Sequence, residues 1–382
     1  MMKCIRKGKS KMYFWIFIFL FVCIMWFFSI STNNTKYKKI LAITTMIILC
    51  VISGTRFNTG GSDYFAYKNI YNNIKLMPFW KGIIETSKYS GFESGFCFYM
   101  SVIKLIGFNY YGFTLINSVV FYILFYKVLK KYDYNINFIL ILFLYKIFFY
   151  NTFISLRQPI AILIFWLSLD YLKEKKYIKY FLMCTLAFTF HKAAIILYFV
   201  PLVTHFNISK KTYIIFLVTC LFLYAINFSS IINMKSILDI FFANDQVTMD
   251  KAEGYAEVGS GMSVFYIFES YLIAILIGLK YNEIYNYDDK SSFFIKLFLC
   301  VIPFYTVFSG FAIVTRFKDF FFLAYPILIT YIAKSQKKIA PYIYLFTIII
   351  CFYGYIRYLN NFDGGAFLNY KTFLLENLEI FR

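Results

Sequence analysis

The chain has 382 residues, of which 61% are hydrophobic and 24% aromatic, and its mean hydropathy is +0.65. A soluble domain is usually about 45–50% apolar, so this composition excludes an ordinary water-soluble fold. The net charge of +20 would suit a nucleic-acid-binding protein. However, the lysines fall in short clusters between apolar runs, as in the cytoplasmic loops of membrane proteins. Nucleic acid is therefore not expected as a partner.

Long apolar runs recur along the chain, and several approach the roughly 20 residues that cross a bilayer as a helix. They lack the alternation of barrel strands, and a backbone in lipid must satisfy its own hydrogen bonds. The runs lie at residues 12–30, 110–126, 136–150, 212–228, 263–279, 293–313 and 340–356. We therefore expect an all-α polytopic membrane protein with about 10–12 transmembrane helices.

The first apolar run is too long for the core of a signal peptide and lacks a small-residue cleavage site. We interpret it as the first membrane helix, preceded by a basic tail at residues 1–11 that could be dispensable. Two polar segments, 54–91 and 229–262, are expected to be external loops, and the alternative from a strict tally of charges is that 54–91 is cytoplasmic. The whole chain, 1–382, is expected to form a single membrane-embedded domain.

Arginine is scarce here, with six arginines against 33 lysines, yet three arginines stand at the edges of apolar segments. They are Arg56 in "GTRFN", Arg157 in "SLRQPIA" and Arg316 in "VTRFKDF". A guanidinium offers a planar fork of donors that matches a phosphate, whereas an ammonium is a point charge. Each arginine alone could be an interface anchor, but the three together favour an anionic ligand.

The stretch "SLRQPIA" has a local rationale for binding an anion. Pro159 suits the first turn of a helix, where its missing N–H costs nothing. Arg157 and Gln158 would then lie at the N-terminus of that helix, whose free N–H groups also favour an anion. The alternative is an ordinary proline-initiated helix with polar leading residues.

Three residues are candidates for acid–base chemistry. His191, beside Lys192, interrupts the otherwise apolar segment 177–204 and could carry a proton or bind a phosphate. Asp63 and Glu93 are the carboxylates best placed to act as a general base. The alternatives are a satisfied core histidine, an Asx-turn aspartate and a first-turn glutamate.

The glycines of "GTRFNTGGSDYFAY" (residues 54–67) suit a sharp turn or a close approach of the backbone to a ligand. This stretch is not a P-loop, because it lacks the G-K-[ST] ending. The eight cysteines are scattered and the chain has two histidines, so neither a disulfide framework nor a metal site is expected.

These motifs occur in a familiar order: "RFNTGGSDYFAY", "ESGFCFY", "LRQPIA", "LAFTFHKAAI" and "TRFKDFFFLAYP". In them the chain resembles the EpsG family, the Wzy-like polymerases of bacterial exopolysaccharide, capsule and O-antigen repeat units. The resemblance extends from about residue 12 to about residue 335. Two departures are an extra residue between Arg56 and Asp63 and a lysine at position 192, where a small polar residue is common.

The resemblance implies a GT-C-like membrane glycosyltransferase of the bacterial cytoplasmic membrane. It would join oligosaccharide repeat units carried on undecaprenyl pyrophosphate at the outer face, without a nucleotide sugar, a cofactor or an essential metal. Besides this lipid-linked oligosaccharide, the expected partners are membrane lipids and the flippase and chain-length regulator of the same pathway. The residues expected to bind pyrophosphate or substrate are Arg56, Arg157, Arg316, Gln158, Lys192, Tyr64 and Tyr67. The candidate bases, in order, are Asp63, Glu93 and His191.

Two other functions stay open at this point. A membrane O-acyltransferase that modifies the same polysaccharides would also use one intramembrane histidine. A flippase for lipid-linked oligosaccharides would use the arginines to hold pyrophosphate during transport. Transporters commonly show internal repeats and broken helices in matching halves, and the sequence shows neither.

Overall fold

The computed structural model describes residues 2–132, 135–231, 264–311, 315–376 and 379–381. These residues are mainly helical, and the only β contacts among them are two isolated bridges. The expectation of an all-α fold is therefore confirmed. Most of the segment 229–262, expected to be an external loop, lies outside the described residues.

Among the described residues, four helices are long and apolar enough to cross a membrane. They are Met12–Ile30, Thr35–Gly54, Tyr110–Lys131 and Ala340–Asn361. Six further apolar helices are shorter, at 10–17 residues: Ser94–Leu105, Ile136–Lys146, Tyr177–Phe190, Lys192–His205, Val264–Leu279 and Ser291–Tyr305. Because a helix rises about 1.5 Å per residue, the shorter ones do not span about 30 Å of hydrocarbon as single straight helices. The chain is thus a multi-pass membrane protein with both long and short apolar helices.

The chain divides into two compact units, the first formed by Met1–Lys192 and Tyr344–Arg382. Its α-helices are α1 (Met2–Ile30), α2 (Thr35–Gly54), α3 (Gly61–Asn73), α4 (Phe79–Ser90), α5 (Ser94–Leu105), α6 (Tyr110–Lys131), α7 (Ile136–Lys146), α8 (Gln158–Lys173) and α9 (Tyr177–Phe190). A π-helical turn, Tyr150–Ile154, precedes α8, and a 3-10 helix, Phe362–Asn369, follows the long C-terminal helix.

The second compact unit is Ala193–Ile343. It begins within a 3-10 helix, Lys192–Phe199, and contains another, Phe228–Ser230. Its α-helices are α10 (Val200–His205), α11 (Lys210–Ala225), α12 (Val264–Leu279), α13 (Tyr281–Tyr285), α14 (Ser291–Leu299), α15 (Ile302–Tyr305), α16 (Thr315–Phe321) and α17 (Ala324–Ser335). The last long helix, α18 (Ala340–Asn361), starts here and runs into the first unit.

Asparagine side chains cap the N-termini of two of the long membrane helices. Asn34 accepts hydrogen bonds from the first backbone N–H groups of α2, and Asn109 does the same for α6. Such side chains satisfy donors that have no partner inside the helix. Between the two helices, Ser53 and Ser118 share a hydrogen bond of 2.6 Å. Gly54 lies beside them, and a Cβ there would be 3.0 Å from Ser118, so small residues let α2 and α6 pack closely.

The segment 54–91 contains two helices, α3 and α4, rather than an irregular loop. Tyr64, Tyr67 and Tyr71 form the buried side of α3 at the three- and four-residue spacing of a helix face. The far end of α3 is held by the buried ammonium group of Lys104. It donates to the carbonyl oxygens of Tyr71, Asn72 and Ile74 at 2.7–2.9 Å. A cation is favoured at this end of a helix, so Lys104 fixes α3 against α5.

Candidate functional site

Arg56 lies just beyond the end of α2 and is almost completely buried, with 1% of its surface exposed. Its Nη1 donates to the carbonyl oxygen of Ser53 at 2.7 Å. Its guanidinium carbon lies 5.8 Å from the ring centre of Tyr64 and 5.5 Å from that of Phe153. Neither Nε nor Nη2 has a hydrogen-bond partner in the part of the chain that the structure describes. Arg56 is therefore a buried cation whose remaining donors are unused.

The burial of the Arg56 guanidinium is energetically unfavourable without a bound ligand. Removing a charge from water is unfavourable unless hydrogen bonds or an opposite charge compensate for it. Burial lowers the pKa of Arg56, and the nearby tyrosine hydroxyls oppose that shift only in part. A guanidinium still remains protonated in a protein. The aromatic rings give partial compensation through cation–π contacts, and an anion bound at Nε and Nη2 would supply the rest.

The backbone beside Arg56 needs glycine. Gly60 has a φ of 140°, and a Cβ there would be 2.5 Å from the carbonyl oxygen of Phe153. Only glycine fits such a conformation and such a close approach. Gly60 also precedes α3 without a side-chain cap. The uncapped N-terminus of α3 therefore begins five residues after Arg56, and helix N-termini favour anions.

The C-terminal segment holds the Arg56 backbone in place. Phe57 N donates to Lys371 O, and Phe373 N donates to Thr55 O, both at 2.9 Å. These two bonds form the antiparallel bridge between Arg56 and Thr372. This contribution could not be predicted from the sequence, because no local pattern indicates a pairing between segments more than 300 residues apart.

Arg157 immediately precedes α8, as predicted, and Pro159 lies in the first turn. In contrast to Arg56, Arg157 is paired. Its Nη1 donates to Glu93 Oε2, and its Nε donates to the hydroxyl of Tyr67 at 3.2 Å. Its guanidinium carbon also lies 4.0 Å from the ring centre of Phe92. Burial by itself lowers the pKa of Arg157, but the Glu93 carboxylate and the Tyr67 hydroxyl outweigh it, so the pKa is raised.

Glu93 connects three elements through its two oxygens. Oε2 accepts from Arg157 at the start of α8, and Oε1 accepts from the backbone N–H of Lys192 at 2.9 Å. Lys192 follows His191, a buried residue with extended backbone at which α9 ends. Helix α9 therefore ends where this polar pair interrupts the apolar segment 177–204. Gly95 permits this arrangement, since a Cβ there would be 2.3 Å from Thr189 Oγ1 on α9.

The structure thus brings several predicted site residues together around Glu93: Arg157, Tyr67 and the backbone of Lys192. Tyr64 belongs instead to the surroundings of Arg56. Gln158 is fully buried, and its Oε1 accepts from the hydroxyl of Tyr150 at 3.5 Å. Two aromatic residues, Phe92 and Phe153, contact the arginines but were not predicted. Phe92 adjoins Glu93 in the sequence, whereas nothing in the sequence around Phe153 points to Arg56.

The two remaining candidates are Asp63 and Arg316. Asp63 is exposed in the first turn of α3, and its side chain makes no hydrogen bond or ion pair with any described residue. Arg316 lies in the second compact unit, at the second residue of α16. The neighbouring Lys318 and Asp319 form an ion pair of 2.8 Å. Among the described residues, no three His, Cys, Asp or Glu side chains are grouped so as to hold a metal ion.

Comparison with known proteins identifies the family. No curated protein and no solved structure matches the chain. The model of the EpsG family does match it, over residues 39–372 of 382, a range that includes every candidate site residue. Together with the multi-pass helical fold, this match indicates a membrane protein of polysaccharide biosynthesis. The chain belongs to the EpsG family.

Proposed function

We propose that the protein is a polymerase that joins oligosaccharide repeat units carried on undecaprenyl pyrophosphate. The product would be a capsule, an exopolysaccharide or an O-antigen, formed by glycosyl transfer at the outer face of the cytoplasmic membrane. The flippase and chain-length regulator of the same pathway would be its partners. The observation that carries the proposal is the buried guanidinium of Arg56, whose Nε and Nη2 have no partner among the described residues.

The reaction requires a site for a leaving pyrophosphate. A hydroxyl oxygen of one repeat unit attacks the anomeric carbon of the other, whose bond to the pyrophosphate oxygen breaks. The electron pair leaves on that oxygen, and the hydroxyl proton passes to a base. Preorganised donors at the place where negative charge develops are often the largest contribution to catalysis. Arg56 offers such donors in a planar arrangement that suits a phosphate.

Arg157 would have a different role in the same reaction. Its charge is already balanced by Glu93, and its position is fixed by the hydroxyl of Tyr67. It lies at the N-terminus of α8, where free N–H groups favour a second phosphate oxygen. We therefore assign Arg157 to orienting the substrate, and Glu93 to holding Arg157 in position.

The surroundings of the three candidate bases favour Asp63. Both oxygens of Glu93 accept hydrogen bonds, from Arg157 and from Lys192. Asp63 is exposed and unpaired within the described chain, and the next residue, Tyr64, contacts Arg56. A base must be able to reach the proton that it removes. Asp63 is therefore our first candidate, and His191, which adjoins Lys192, is the second.

The proposal can be tested in a host strain that lacks the gene. The strain is complemented with wild type, Arg56→Lys, Asp63→Asn or Arg357→Lys, and the amount of protein in the membrane is matched. Arg357 is the control, because it is an exposed arginine on α18. Lipid-linked and surface glycans are then separated by size. We expect single repeat units to replace the long-chain ladder for Arg56→Lys and Asp63→Asn, and a normal ladder for Arg357→Lys.

Other outcomes would favour the alternative functions. A deletion strain with normal chain length but without acyl groups on its glycan would point to an O-acyltransferase. Repeat units trapped on the cytoplasmic face would point to a flippase. If the ladder stays normal with Arg56→Lys at wild-type protein levels, the guanidinium of Arg56 is not the pyrophosphate site.

A further inference from the structure

Helix α4 has two different sides. Ile83 and Thr86 face inward, and α4 packs on α5. On the other side, Trp80 and Ile84 are one helical turn apart and are 68% and 55% exposed. An exposed tryptophan followed by an exposed isoleucine on one face is unusual for a surface that meets water.

This exposed stripe continues onto a neighbouring apolar helix. The ring of Trp80 stacks on that of Phe98 of α5, with an interplanar angle of 11° and ring centres 6.0 Å apart. Phe98 and Leu105 are themselves exposed on the outer side of α5, one of the short apolar helices. The surface of α4 that carries Trp80 is therefore continuous with an apolar surface suited to lipid.

The charges on α4 fit a membrane surface as well. Lys75, Lys81 and Lys88 are exposed along the segment, against a single acidic residue, Glu85. Glu85 lies 3.5 Å from Lys75 and 3.9 Å from Lys81, distances at which exposed pairs contribute little. The segment keeps a net positive charge, which attracts anionic headgroups.

We infer that α4 is an interfacial helix that lies in the headgroup region of the bilayer, with Trp80 and Ile84 in the lipid. The occupant of this face is therefore anionic phospholipid. Helices that combine tryptophan and aliphatic residues on one side with lysines beside them bind membranes in this way. The inference depends on the exposed side chains of α4 and does not depend on the proposed polymerase activity.

Trp80 is a suitable reporter, because Trp15, Trp26 and Trp166 are buried. The full-length protein is placed in nanodiscs of phosphatidylglycerol or phosphatidylcholine, with or without lipids brominated near the headgroup. The emission of Trp80 is obtained by subtracting the fluorescence of Trp80→Phe from that of wild type. We expect brominated lipid to remove most of this difference emission, and aqueous acrylamide to remove little of it.

Tyr89 provides the matched control, because it is 71% exposed on the opposite side of α4. Helix residues turn by roughly 100° each, so positions 80 and 89 point in opposite directions. In a Trp80→Phe background, Tyr89→Trp should be quenched by acrylamide and not by brominated lipid. Quenching of Trp80 by acrylamide and not by brominated lipid would overturn the inference.

A second measurement tests the anionic headgroup. Replacing Lys81 and Lys88 by glutamine should reduce the bromolipid quenching of Trp80 in phosphatidylglycerol and leave it unchanged in phosphatidylcholine. Equal quenching of wild type and variant in both lipids would contradict a role for anionic lipid. Thermal unfolding of every variant checks that the fold is retained.

Discussion

Arg56 and Arg157 lie in the same compact unit, and both are arginines at the edge of an apolar segment, but their surroundings differ. Arg157 has a carboxylate, a tyrosine hydroxyl and an aromatic ring around it. Arg56 has two aromatic rings and one backbone carbonyl, and two of its nitrogens are unpaired within the described chain. The fold compensates the charge of the Arg157 guanidinium but not that of the Arg56 guanidinium.

This difference separates a structural requirement from a functional one. A buried cation with its counterion contributes to the fold, because removing either member leaves an isolated charge. A buried cation without a counterion destabilises the fold and is retained for what it binds. Stability should therefore respond in opposite ways at the two arginines, whereas polymer formation should fall in both cases.

The largest effect on stability is expected at Glu93. Glu93→Ala leaves the guanidinium of Arg157, whose side chain is 14% exposed, without its counterion. This should cost about 3 kcal/mol, the lower end of the range for a buried pair. Thermal unfolding of the purified protein in detergent measures the loss. Glu85→Ala is the control, since Glu85 is in exposed pairs and should cost less than about 1 kcal/mol. The double variant of Glu93→Ala with Arg157→Met should regain stability without regaining polymer, and a strictly additive loss would contradict the pairing.

Arg56 should behave in the opposite way. Arg56→Met removes an uncompensated buried charge, so the unfolding temperature should stay the same or rise. Polymer formation should nevertheless fall by about 100-fold or more, as when one donor to a developing negative charge is lost. The two measurements on one sample are unfolding temperature and glycan chain length. A loss of stability as large as that of Glu93→Ala would show that Arg56 supports the fold instead.

Two glycines allow the geometry around Arg56 to be examined more closely. Gly60 and Gly107 both have a positive φ, but only Gly60 has a neighbour in the path of a Cβ. Gly107→Ala should therefore cost only the backbone strain, about 1–3 kcal/mol. Gly60→Ala should cost more, because the new Cβ displaces the carbonyl of Phe153, and it should also weaken polymer formation. Equal unfolding temperatures for the two variants would mean that the close contact between Gly60 and the carbonyl of Phe153 does not affect stability.

The smallest effect is expected in the C-terminal segment. The hydroxyl of Tyr370 donates to the carbonyl oxygen of Ile52 at 2.9 Å, close to the backbone of Arg56. Tyr370→Phe should lower stability by about 1 kcal/mol, the usual net value of one hydrogen bond. Tyr342→Phe, at an exposed position, should leave the unfolding temperature unchanged. If both variants match wild type, this bond does not help to hold the Arg56 backbone.

Much of the site could be predicted because its residues carry strong local signals. The proline of "SLRQPIA" placed Arg157 at the start of a helix, and α8 begins at Gln158. The polar pair at His191 and Lys192 interrupts an apolar segment, and α9 ends just before it, at Phe190. The segment 54–91 was harder to interpret. Helix α3 is stabilised by burial of its tyrosines against α5 and α6, and α4 by burial of Ile83 and Thr86. That packing is not a local property.

Composition and hydrophobic pattern alone determined the class of this protein, because lipid requires helices whose apolar surface is long enough to face it. The order of the motifs determined the family. Only the tertiary structure decided which arginine has a counterion, since Glu93 meets Arg157 across 64 residues of sequence. It also decided that a segment near residue 372 pairs with the backbone of Arg56. Such contacts depend on where the packed helices place their ends. That placement cannot be predicted from the spacing of residues or from helix propensity along the chain.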